Sequence, residues 1–254
     1  MKFLHKIKRE IKLSLMLAVA FSMIAFVEKK QGEKLCQDIS ITIHDNGTNY
    51  FLEKEEVHQL VTDHSNEVLI GTLYDKIDLK SIEKRIRANK YVAEAQAYTS
   101  LGGEVFVDVW LNIPMARFMI DGGADFYICE SGRIMPTSEK YTSRVLLLSG
   151  EYLDFIPEKN INEDSTYRQI FELITYINQD EFWKAQIAQL DIDRDGYITL
   201  FPQVTRQYIE FGKPVSIEEK FLKLKVFYKK ILPYKGWNNY TRVNIEFKDQ
   251  IVCE

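Results

Sequence analysis

The sequence predicts an α+β protein: a single N-terminal transmembrane helix, a compact β-α-α-β-β unit, then a mainly antiparallel β domain decorated by two amphipathic helices. Three observations carry this expectation. A basic N-terminus runs into an uncharged apolar stretch, hydrophobic spacing over residues 38–112 switches between periods of two and 3.6, and short alternating segments dominate past Pro114.

Of the 254 residues, 46% are hydrophobic and 13% aromatic, enough to bury one or two modest cores. The formal charge of −4 is unevenly spread. Residues 1–12 carry five basic side chains against Glu10, which leaves 28 basic and 36 acidic residues, a net charge of −8, in the remainder. An acidic body without a basic stripe argues against nucleic acid as the main partner.

The stretch 13-LSLMLAVAFSMIAFV-27 is fifteen residues without a charge, short against the roughly 20 that usually span a bilayer. Ala18-Val19-Ala20 has the chemistry of a cleavage site but lies in the middle of the run, and the run ends at Glu28-Lys29-Lys30. The segment therefore predicts an uncleaved signal anchor over 13–27, with the basic tail 1–12 in the cytoplasm and residues 28–254 on the other side. A polar linker occupies 28–37.

Alternation of Ile39, Ile41 and Ile43 predicts a strand, and Val57, Leu60 and Val61 share one face of a helix over 53–63. A second helix starts at Asp78, a suitable N-cap, with Leu79, Ile82 and Ile86 inward. Segments 91–100 and 104–112 flank Leu101-Gly102-Gly103, a hairpin signature. The second region, 113–254, shows strand patterns at 115–121, 125–129, 132–136, 145–150, 186–192, 196–201, 205–212, 240–247 and 249–254. Helical stripes interrupt them at 163–178 and at 216–232; the latter opens with Ser216 and Glu219 in capping-box spacing and stops at Pro233.

Motifs of catalysis are missing from the sequence. The four histidines, His5, His44, His58 and His64, form no HExxH frame, and no nucleophile elbow, P-loop or dinucleotide fingerprint occurs. No cofactor is implied. Cys36, Cys129 and Cys253 show no CxxC spacing, so one bridge or three free thiols remain open. In 191-DIDRDGYITLFP-202, Asp191, Asp193, Asp195 and Gly196 match the start of a calcium loop, but Pro202 stands where a bidentate Glu must close it and the flanks read as strands. A hairpin turn at Asp193-Arg194-Asp195-Gly196 fits better, leaving an exported calcium-binding module as a weaker alternative.

The segment 77-IDLKSIEKRIRANKYVAEAQAYTSLGGEVFVDVWLNIPMARF-118 resembles the end of a POTRA domain running into the β domain of FtsQ/DivIB, the bitopic bacterial cell-division proteins. The residues that carry the resemblance are Ile77, Leu79, Ile82, Glu83, Asn89, Val92, Gly102-Gly103, Val105, Val107, Val109, Pro114 and Ala116. In 127-YICESGRIMP-136 the chain departs from the pattern, with Cys129 where an acid is usual. The resemblance implies a POTRA domain over 38–112 and a C-terminal β domain over 113–254. It implies a non-enzymatic scaffold at the division septum, single-pass in the cell inner membrane with a periplasmic body, that helps regulate septal peptidoglycan synthesis. Its implied partners are FtsB/FtsL-like bitopic proteins at the C-terminal edge strand and other division components through the POTRA domain. A POTRA-containing envelope protein of another assembly pathway is the alternative.

Strand 240–247 places Tyr240, Arg242, Asn244 and Glu246 on one face and Thr241, Val243, Ile245 and Phe247 on the other. An edge strand offers unpaired backbone groups to which a partner can add a strand, alternate side chains setting specificity. The expected partner-binding residues are Tyr240, Val243, Ile245, Phe247 and Ile251, with Phe247 where the family's pattern has an interface aromatic; a plain core role for Phe247 carries equal weight.

Overall fold

The computed structural model describes residues 12, 15–19, 21–23, 34–45, 50–153 and 165–254. Residues 15–19 and 21–23 are helical, but much of the anchor expected over 13–27 and of the linker after it lies outside the described residues. Among the described residues no helix is long and apolar enough to cross a membrane. The body divides into two compact units.

The first unit is a three-stranded sheet with two helices. Strand β1 (Asp38–His44) is followed by α1 (Lys54–Val61), α2 (Leu79–Arg87), β2 (Val92–Thr99) and β3 (Glu104–Leu111), in the sheet order β1-β3-β2. The central strand β3 runs parallel to β1 and antiparallel to β2, bringing Ile39, Ile41 and Ile43 level with Val105, Val107 and Val109. These side chains pack against Val57, Val61, Ile82 and Ile86 of the helices, all buried. Each such burial contributes about 1.5–3 kcal/mol of transfer free energy. Asp78 caps α2 by accepting from the Ser81 amide at 3.1 Å, as its sequence position predicts. A capping box at α1, Glu53 with Glu56, passes unannounced in the sequence because Glu is an uncommon N-cap. Arg85 of α2 closes the end of α1, donating to the Leu60 and Val61 carbonyls at 3.1 and 2.9 Å while pairing with Glu67 at 2.7 Å.

The second unit, Asn112–Glu254 with Tyr50 and Phe51, is built on a nine-stranded mixed sheet. Its strands are β4 (Pro114–Phe118), β5 (Phe126–Cys129), β6 (Ile134–Pro136), β7 (Leu146–Ser149), β8 (Ile187–Ile192), β9 (Ile198–Pro202), β10 (Tyr208–Gly212), β11 (Arg242–Asn244) and β12 (Val252–Cys253), ordered β12-β11-β10-β9-β8-β7-β4-β5-β6. Five of the eight pairings are antiparallel; β4–β7, β7–β8 and β10–β11 are parallel. Between β7 and β8 lie α3 (Ser165–Gln179) and α4 (Glu181–Gln186); α5 (Ile217–Val226) continues through a π-helical turn, Phe227–Ile231, into α6 (Leu232–Lys235).

Helices and sheet share one core, in which Ile170, Ile174 and Ile177 of α3 and Phe221 and Leu224 of α5 meet Leu148, Leu190, Leu200, Ile209 and Phe211. The opposite face of the sheet carries a transverse polar row, Ser149, Asp191, Thr199, Glu210 and Asn244, one residue from each of five neighbouring strands. At the β8–β9 turn Gly196 has φ +78°, and Asp193 accepts from the amides of Asp195 and Tyr197 at 2.9 and 2.8 Å. The carboxylate that a calcium loop would need is spent on its own turn.

Four expectations change. The capping box at Ser216 does not form: Ser216 has φ +52° and its side chain makes no cap hydrogen bond. Pro233 does not stop that helix, because the widened π turn absorbs one extra residue, buries both Phe227 and Tyr228, and places Pro233 in the first turn of α6, where a missing N–H costs little. Helix α4 was unforeseen; it carries Trp183, which packs with Phe182, Phe221 and Tyr228 at centroid distances of 4.8, 4.9 and 5.9 Å. Strand 240–247 shrinks to Arg242–Asn244, and it is not the edge: β12 covers it.

Candidate functional site

The nine-stranded sheet ends on one side at β12. Two observations fix which backbone groups this end presents. The amides of Thr241 and Arg242 both donate to the Glu254 carbonyl, at 2.7 and 3.1 Å, and the Glu254 amide donates back to Arg242 at 2.9 Å. Residues 242 and 254 thus form a hydrogen-bonded pair, and the neighbouring pair Val243–Cys253 a non-hydrogen-bonded one. It follows that the peptide N–H and C=O of Cys253 point away from β11, toward an edge that no described strand covers.

The short strand β12 is held by charge as well as by backbone. Arg242 donates to both oxygens of Glu210 on β10, Nε at 2.7 Å and a terminal nitrogen at 2.8 Å, and its other terminal nitrogen reaches Glu254 at 2.9 Å. Asn244 adds a third donor to Glu210 at 2.6 Å. The Arg242 hydrogen bonds, supported by that of Asn244, hold the Glu210 carboxyl below its ordinary range, and the two carboxylates raise the Arg242 guanidinium in turn. Lys223 of α5 braces the connection after β11 by donating to the Ile245 and Phe247 carbonyls at 2.7 and 2.6 Å.

Of the residues expected to bind a partner, Val243 and Ile245 are fully buried in the core. Their side chains belong to the core cluster and have no exposed surface to offer directly. Tyr240 and Ile251 are half-buried and pack against the same core, Tyr240 6.0 Å from Phe227. Phe247 lies between β11 and β12 with 49% of its surface exposed, and residues 246–250 around it are all exposed. The alternation read from the sequence breaks after Asn244, where regular strand ends, so Phe247 does not share the buried side with Val243 and Ile245. Glu210, Arg242 and Glu254 were missed as a cluster. The only signal available was the placement of Arg242 and Asn244 on one face, and their partner lies 32 residues from Arg242.

Cys36 and Cys129 are buried free thiols and Cys253 a half-buried one; burial pushes the Cys129 thiol up to about 12, which keeps it protonated and unreactive. Among the described residues no three His, Cys, Asp or Glu side chains gather as a metal site. In the first unit, β1 is an edge strand, and a groove of about 730 Å³ between it and α1 is lined by Asp38, Ser40, Lys54, Glu55, His58 and Gln59.

The comparisons agree with this architecture. Residues 34–110 match the family model for a POTRA-like domain. No curated protein gives a significant match to the chain. Residues 113–254, more than half of the sequence and nearly the whole of the mixed-sheet unit, match the model described as FtsQ/DivIB, C-terminal related, and the chain belongs to that FtsQ/DivIB-related family.

Proposed function

We propose that this chain is a non-enzymatic cell-division scaffold that binds other membrane-anchored division proteins outside the cytoplasmic membrane. Family membership supports the division role. The observation that carries the binding mode is the free edge of β12, whose outward Cys253 peptide can accept an added strand beside an exposed Phe247. FtsB/FtsL-like bitopic proteins are the proposed partners at this edge, and other division components the proposed users of the first unit. The chain would be held by a single helix over 13–27, with residues 1–12 cytoplasmic and the body periplasmic at the septum, where its occupancy helps regulate septal peptidoglycan synthesis.

Depletion of the protein combined with imaging of a fluorescent fusion tests this reading. A midcell band and filamentous cells on depletion are expected; uniform envelope fluorescence with normal septation overturns it.

A further inference from the structure

A pocket of about 430 Å³ opens in the second unit where the N-terminal ends of the parallel strands β7 and β8 meet the end of α3 and the start of α4. Its floor is apolar, formed by Leu146, Ile177, Ile187 and Ala188. Two cations stand at its mouth: Arg144, just before β7, and Lys184 on α4. Both are exposed, and neither side chain makes a hydrogen bond or ion pair among the described residues. Among the described residues no carboxylate lines the pocket.

That combination sets it apart from the other cavities. The groove beside β1 mixes Asp38 and Glu55 with Lys54 and His58. The depression at the start of α5 that adjoins Gln169 has Glu172, Glu218 and Glu219 but no cation. The lysine-rich hollow on the other side of that helix start contains Glu219 and Glu246, and two of its cations are engaged: Lys220 donates to the Phe211 and Lys213 carbonyls at 2.8 and 2.7 Å, and Lys223 to those of Ile245 and Phe247. Only at the β7–β8 pocket, among the described cavities, do uncommitted cations overlook an apolar floor with no acid to neutralise them.

We propose that this pocket takes an apolar side chain adjacent to a carboxylate, presented by an acidic segment of a partner polypeptide. The volume lies at the low end of what ligand pockets occupy and suits one branched side chain with its flanking backbone. A polypeptide fits better than a free small acid because the cations sit in solvent, where screening makes each contact weak. A weak contact gains force only when a second attachment raises its effective concentration. The proposal rests on the reading of the chain as a binding scaffold but not on which strand edge the partner uses.

The test titrates the full chain in lipid nanodiscs with three dipeptides: acetyl-Leu-Asp-amide, its neutral isostere acetyl-Leu-Asn-amide, and acetyl-Gly-Asp-amide, which lacks the apolar group. Methyl resonances of Leu146, Ile177 and Ile187 report occupancy, and the same spectra report folding. Acetyl-Leu-Asp-amide should shift those methyls saturably, and each of the other two should bind about tenfold more weakly or worse. The double variant R144Q/K184Q, altered only at exposed positions, should bring acetyl-Leu-Asp-amide down to the level of acetyl-Leu-Asn-amide. Equal binding of acid and amide, indifference to the double variant, or no methyl shift at the highest concentration overturns the proposal. Because Cys253 and Phe247 take no part, failure here leaves strand addition at β12 untouched.

Discussion

Arg242 grips Glu210 through both carboxylate oxygens, at 2.7 and 2.8 Å, across the parallel β10–β11 pair. A bidentate guanidinium–carboxylate contact fixes geometry as well as charge, because the planar fork matches only one orientation of the carboxylate. With its remaining nitrogen on Glu254, Arg242 links three strands, β10, β11 and the end of β12. Two residues of regular strand would hold the sheet's last member poorly; this side chain adds the missing constraint.

A pH signature follows for Arg242→Gln. Glu210 has its folded-state pKa depressed by Arg242, so its contribution is present in full above the unfolded carboxylate value of about 4.3 and is lost as pH falls through the lower folded value. The variant should melt below the parent at pH 7, and the two melting curves should converge on acidification below about pH 4. Thermal unfolding followed by circular dichroism across this range checks it, and a gap that is constant with pH would show that Glu210 is not the group responsible.

Strand addition makes a sharper demand on Cys253. Proline there removes the Cys253 amide, which points away from β11, while the hydrogen bonds between Glu254 and Arg242 of β11 stay available, and it keeps Val252 in the extended region. Cys253→Pro and Phe247→Lys should each weaken capture of an FtsB-like partner by about tenfold or more, against near-parent capture by Cys253→Ser. Pull-down from solubilised membranes reads the difference; undiminished capture by the proline variant would place the contact elsewhere.

Much of the fold was legible in the sequence, and the reasons differ by region. In the first unit, Ile39, Ile41 and Ile43 and the three valines of β3 alternate cleanly because only one face of a small sheet is buried, so period two shows without interference. In the second unit the pattern held at β8 and β9, where Asp193 and Gly196 mark the turn between them. It failed at residues 245–247, where burial is decided by contacts with α5 rather than by strand period. Helix α4 escaped notice because it is six residues long, too short for a helical period to register. The Glu210–Arg242–Glu254 cluster escaped because charge pairing across strands depends on register, which parallel pairing of distant segments does not announce.

Trp183 provides a measure of the second core. Only 1% of its surface is exposed, and its ring is packed by Phe221 and Tyr228. Replacement by alanine opens a cavity between α4 and α5 that rigid neighbours cannot fill, at a cost of about 3–5 kcal/mol. Urea unfolding should show the midpoint of this unit's transition falling with little change in slope, whereas Phe182→Ala, at a more exposed ring, should cost clearly less.

Gly150 separates the cost of backbone conformation from that of close approach. It follows β7 with φ +108°, and a Cβ built there would lie 2.1 Å from the Ile192 carbonyl oxygen at the end of β8, a backbone atom that cannot swing aside. Gly122 has a comparable φ of +71° with nothing within 4 Å of the same position. Alanine at Gly122 should therefore pay for the dihedral alone, about 1–2 kcal/mol. Alanine at Gly150 adds a clash that forces β7 from β8, breaking the parallel contact and the Ser149 to Asp191 hydrogen bond of 2.5 Å beside it. Its loss should exceed that at Gly122 by about 2 kcal/mol or more, in the range reached by overpacked interiors and strained backbone. Equal unfolding midpoints for the two variants would mean that the β7–β8 junction yields, and that the approach of Gly150 to Ile192 is not a constraint the fold depends on.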